Sequence, residues 1–227
     1  RDYEVADLFI NDLKQYERNH NLPRFMIMSL REDHTHGTST GEYTPTAAVA
    51  SNDYGLGKIV AACSKSPYWK EMAIFVIEDD GQDGPDHVEA HRTEALVISP
   101  YTRTGKIDST AYTTVSLLRT MELILGLPPM SQYDAAATPM YNSFQPQPDA
   151  RPYTAAPAQV DVNERNGKLA WGVEKSRKLD FTKEDAADDL VLNEIIWRSV
   201  RGPQSKMPAP VRAAFVFPHP AKDDDDD

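Results

Sequence analysis

Two short stretches, "MAIFVI" at 72 to 77 and "EALVIS" at 94 to 99, constrain this chain more than any other feature. Both are continuous apolar runs, where a strand with one wet face would alternate apolar and polar residues. That pattern predicts strands buried on both faces, the habit of parallel sheets lying under helices. Between them stands "EDDGQDGPDHVEAHRT", which no buried segment tolerates without compensation. The question is what gathers so many carboxylates and imidazoles between two buried strands.

The rest of the chain supplies the helices. Val5, Leu8, Phe9, Leu13 and Tyr16 recur at helical spacing over residues 4 to 19. Pro23 punctuates, and "RFMIMSL" at 24 to 30 predicts a further short strand. Its end enters the polar run "REDHTHGTSTGEY". Thr44 and Pro45 form a start signal for a helix to about Lys65. Ser109 and Thr110 can cap another, carrying Val115, Leu118, Met121 and Leu125, stopped by Gly126 and Pro128. The alternation of helices and strands predicts an α/β fold.

We expect an α/β core segment over 1–129 and an irregular Pro-, Ala- and Gln-rich arm over 130–182 packed on the same domain. A C-terminal helix and tail segment follow over 183–222, the helix reaching 201 with Leu190, Leu192, Ile195, Ile196 and Trp197 inward. Five Asp residues at 223–227 read as a disordered acidic tail.

Composition narrows the function classes. The formal net charge is −11, which argues against sequence-independent nucleic-acid binding, since that needs clustered Lys and Arg. No stretch approaches the roughly 18 apolar residues of a membrane span. Cys63 is the only cysteine, so no intramolecular disulfide forms.

In α/β sheets the ligand crevice lies outside the carboxyl ends of the strands. Asp33, His34 and His36 follow the first predicted strand. Glu78, Asp79 and Asp80 follow the second, and Asp86, His87 and His91 precede the third. Four of the six histidines fall in these segments, more clustering than scatter would give. Carboxylates beside neutral imidazoles suit divalent ions: Zn, Mn or Fe for a mixed O and N set, Mg or Ca for an oxygen-rich one. The tandem Asp79-Asp80 would repel itself at a buried strand end unless a proton or a cation intervened. The bland alternative is that paired Asp residues form turns and loop histidines lie on the surface. The joint pattern favours a metal site.

These residues resemble the alkaline phosphatase superfamily, whose phosphomutase and phosphodiesterase branches carry an Asp-His-Gly triplet at a strand end and a later His before the next strand. Asp79-Asp80-Gly81 stands where that triplet would be, with Asp80 in place of His, and His91 stands at the later position. The acidic pair, the glycine and Asp86-His87-Val88 resemble the phosphoesterase family of acid phosphatases and non-haemolytic phospholipases C. Closer still are bacterial phosphoesterase-like proteins, some carrying this domain beside a β-propeller. Their motifs are matched at 33 to 38, 78 to 92, 99 to 103 ("SPYTR") and 133 to 140.

The resemblance implies metal-dependent hydrolysis of a phosphate-ester substrate, of phosphomonoesterase, phosphodiesterase or phospholipase C type. Two divalent ions would share the phosphate, one activating the attacking group and the other stabilising the leaving oxygen. Carried over by position, Asp79 and Asp80 would hold the first ion. Asp33, His36 and His91 would hold the second. His34 competes with His36, and the sequence does not decide between them. Asp86 and His87 would be ligands or orient them, and Glu78 reads as structural.

The Ser or Thr nucleophile of the superfamily lies near the start of the domain, and none is convincing here. Thr35, Thr38, Ser39 and Thr40 are ordinary loop residues with no activating base marked. We therefore expect the C-terminal part of an alkaline-phosphatase-like domain, completed by an N-terminal half. The resemblance also implies a periplasmic or secreted location. The competing expectation is a non-catalytic metal-binding or structural subunit that keeps the fold.

Overall fold

Helix α1 (Asp2–Asn19) and helix α2 (Pro45–Cys63) form the centre of the computed structural model, which describes residues 1–79, 81, 84–86, 88–183 and 186–211. Thr44 caps α2, its side chain accepting from Ala47 N at 3.1 Å, and Pro45 begins the first turn. This start is the one its sequence signals. The helices cross closely because Gly55 has no side chain. A Cβ there would lie 2.9 Å from the backbone C and O of Asp2. Ala6, Leu13, Ile59 and Cys63 make the buried seam, with Phe9, Leu22, Leu30, Met72 and Ile74 packed around it.

The two apolar runs do form strands, β1 (Ile74–Ile77) and β2 (Ala95–Ile98). They pair antiparallel, Ile74 opposite Ile98 and Ile77 opposite Ala95, which corrects the expected parallel arrangement. Nor are both faces buried, since Ile77 and Leu96 are exposed. The α/β class stands as a mixture of helices with a small sheet.

"RFMIMSL" forms no strand among the described residues. Phe25, Met26, Ile27 and Met28 are all exposed, Ile27 to 85%. Hydropathy alone therefore promised a pairing that the described structure does not contain.

Two helix starts shift for local reasons. Thr110 donates to Asp108 at 2.6 Å, which commits it to a turn, and helix α3 (Thr114–Leu125) starts after Thr113 instead. It ends at Gly126 in the left-handed conformation, φ 71°. After the short helices α4 (Gln132–Ala136) and α5 (Val173–Ser176), the last helix α6 covers Asp189–Arg201. It begins six residues later than expected because Asp188 accepts from Val191 N at 2.9 Å and fixes the first turn. Leu192 and Ile195 are buried, whereas Leu190 faces solvent.

The arm folds back onto the loop after Leu30. Asn166 Nδ2 donates to Gly37 O (3.2 Å) and Tyr43 O (3.1 Å), and Thr38 N donates to Ser176 Oγ at 2.9 Å. A Cβ on Gly37 would lie 2.7 Å from that same Ser176 oxygen. The loop carrying Asp33, His34 and His36 is thus clamped between α2 and the arm. The acidic tail lies outside the described residues. No helix among the described residues is long and apolar enough to cross a membrane.

Candidate active site

Asp33 sits in a single 3-10 turn, Glu32–His34, held from three directions. Glu32 N donates to Asp2 Oδ2 at 2.9 Å, and Asp2 N donates to Glu32 Oε2 at 2.7 Å. Arg1 Nε closes on Glu32 Oε1 at 2.6 Å, and Ser51 donates to the other oxygen. From α2, Asn52 Nδ2 donates to Asp33 Oδ1 at 2.9 Å and to Asp2 Oδ2 at 3.1 Å. A loop carboxylate is thereby fixed by the two central helices.

Thr35, the next residue but one, has φ 60° and ψ 175°. A β-branched residue pays steric strain there, on the order of 1–3 kcal/mol. Burial and the bond from Gly37 N to Thr35 Oγ1 (3.1 Å) hold it. His34 and His36 flank it, both exposed, and both lean on Phe181, with ring centroids 6.3 and 5.2 Å away. His34 Nδ1 also meets Thr35 O at 3.2 Å.

Strand β1 delivers the second group. Glu78 N donates to Glu94 O at 3.0 Å, extending the β1–β2 ladder by one step. The Glu78 carboxyl lies close enough to that of Asp33 for the two to share a hydrogen bond when one is protonated. Burial, this hydrogen bond and the charges of Asp33, Asp79 and Glu94 push Glu78 up to about 7. Two segments far apart in sequence therefore meet carboxyl to carboxyl. Sequence reasoning had set Glu78 aside as structural; its place directly after a strand, beside Asp79, was the available signal.

The loop between the strands supplies the third group. Asp86 accepts from Val88 N (2.7 Å) and Glu89 N (3.2 Å), and from Arg92 Nε and Nη2 (3.0 Å each). These contacts, the Val88 amide foremost, hold its carboxyl below the usual range. Asp86 thus closes the loop on itself. Val211 straps it from outside, its N–H donating to Asp86 O and its carbonyl accepting from Ala90 N, both at 2.8 Å. His91 Nδ1 lies 2.5 Å from Glu89 Oε1. Gly81 lets the acidic turn approach: a Cβ there would lie 3.0 Å from His91 C and 3.1 Å from its Cα. So Gly81 and His91 touch, as Asp33 and Glu78 do.

Asp80 and His87 lie outside the described residues. Among the described residues, no three His, Cys, Asp or Glu side chains already converge as a metal cage. The donor chemistry fits a divalent cation all the same. Asp33 and Glu78 bring two carboxyls together with Asp79 alongside, a cost that a proton or a cation relieves. Asn52, Glu89 and Arg92, which position these groups, carry no metal-site signature in the sequence and were missed.

Comparison with curated proteins and with solved structures finds no match. Residues 1–128 match the family model described as Phosphoesterase family. That span contains Asp33, His34, His36, Glu78, Asp79 and His91, and the family's general chemistry is hydrolysis of phosphate esters. With more than half of its length matched, the chain belongs to the phosphoesterase family.

Proposed function

We propose that this chain hydrolyses phosphate esters with the help of divalent metal ions, and that the nucleophile comes from a further part of the domain. The observation that carries this reading is the contact between Asp33 and Glu78, next to Asp79. Helices α1 and α2 spend several hydrogen bonds to hold Asp33 against a like-charged neighbour. Such an arrangement is costly without a cation and suited to one with it.

In this reading Asp33, Asp79 and Asp80 supply carboxylate oxygens, and His91 with His36 or His34 supplies nitrogens. Glu78, pushed up to about 7, is about half protonated at neutral pH, and a bound cation would favour release of that proton. Bound divalent ions would supply charge neutralisation for the phosphate and activation of the attacking oxygen. Asn52 keeps Asp33 directed at the site, and the arm holds the histidine loop in place. The uncovered segment Phe25–Met28 supports a completing part of the domain, which would shield these apolar side chains.

The test is metal binding by this chain, followed by turnover of nitrophenyl phosphate and its bis-ester with the completing part present. Zn or Mn should bind at pH 8, weaken in Asp33→Asn and Asp79→Asn, and be required for turnover. Turnover that survives chelation unchanged, or no divalent binding at all, defeats the proposal.

A further inference from the structure

We propose that Glu89 is a positioning residue for His91: it holds the proton on Nδ1, so that Nε2 is the nitrogen presented to a metal ion. This rests on the metal-dependent reading above and adds a residue to it. The geometry is local and specific. Glu89 Oε1 lies 2.5 Å from His91 Nδ1 and accepts from His91 N at 3.1 Å. One carboxylate oxygen therefore fixes both the main chain and the ring of the same residue. The carboxylate is well shielded, its side chain 19% exposed against 49% for His91. The turn that presents Glu89 is closed by Asp86, Arg92 and Val211, so Glu89 is held on a braced loop. On its other side, the His91 backbone abuts Gly81, which sets the residue close beside the acidic turn.

A carboxylate accepting from one imidazole nitrogen sets the tautomer and makes the opposite nitrogen the better ligand.

Two measurements on the full chain test this. The first is the ring nitrogen-15 spectrum of His91 in metal-free protein at pH 8. The Nδ1–H tautomer is expected, and a dominant Nε2–H tautomer overturns the assignment whatever any variant does. The second is titration with Co(II), followed by its visible absorption, in wild type, Glu89→Ala and His91→Ala. Glu89→Ala should bind about 10- to 100-fold more weakly, with an altered band shape, and His91→Ala more weakly still. Wild-type affinity in Glu89→Ala with loss in His91→Ala refutes the role of Glu89 and leaves the metal site standing. Equal binding by wild type and His91→Ala removes the site reading, and this inference with it.

Discussion

Replacing Glu78 with Gln isolates the electrostatic cost at the centre of the site. The amide keeps a hydrogen-bond donor toward Asp33 and removes a group that must ionise beside it. In the folded protein Glu78 is raised from 4.5 to about 7, burial first and then Asp33 being the causes. A carboxyl whose folded value lies above its unfolded one stabilises the fold while protonated. That contribution is complete below about pH 4.5 and is lost as pH rises through about 7. Unscreened, a shift of this size corresponds to roughly 3 kcal/mol, at about 1.4 kcal/mol per tenfold change in acidity. Glu78 is exposed as a residue, so solvent screening reduces the expected loss to on the order of 1 kcal/mol. For a domain of this size that is about 2–4 °C in Tm. The assay is thermal unfolding of both proteins in EDTA at pH 4.5 and pH 8. Wild type should lose about 2–4 °C more than Glu78→Gln between the two, with Glu78→Gln the less pH-sensitive protein. Identical pH dependence would show that the carboxyl contact carries no strain, and the argument for a cation there would fail.

Other consequences can be read from the same structure. A divalent ion at 100 times its Kd should raise unfolding stability by about 2.7 kcal/mol, seen as a Tm gain that EDTA reverses and that Asp33→Asn diminishes. Gly55→Ala places a Cβ 2.9 Å from Asp2 backbone, so α1 and α2 must part; denaturant titration should show a loss of about 1–3 kcal/mol. Ile195→Ala empties a fully buried position that touches the Gly37 and Gly172 backbone. About 2–5 kcal/mol should be lost, and limited proteolysis should reach the histidine loop sooner. Asp188→Ala removes the cap on Val191 N and should cost about 0.5–2 kcal/mol by the same titration.

The sequence by itself determined what is local. The Thr44-Pro45 start, the Gly126 stop, the presence of α1 (though Val5 and Leu8 of its expected inner face are exposed) and the two apolar strands all depend on neighbours within a few residues, and such signals are written in order along the chain. It also singled out Asp33, Asp79 and His91 as candidate metal donors, because residue type and clustering can be read without coordinates. Only the tertiary structure decided direction and partnership. Hydropathy cannot say whether "MAIFVI" and "EALVIS" run parallel or antiparallel, since both arrangements bury the same side chains. Nor can it say that Phe25 to Met28 lie uncovered, because pairing depends on what else is nearby. Glu78 meeting Asp33, Asn52 reaching Asp33 from α2 and Gly81 lying against His91 are contacts between distant segments. Their energies come from burial and electrostatics that exist only once the chain has folded.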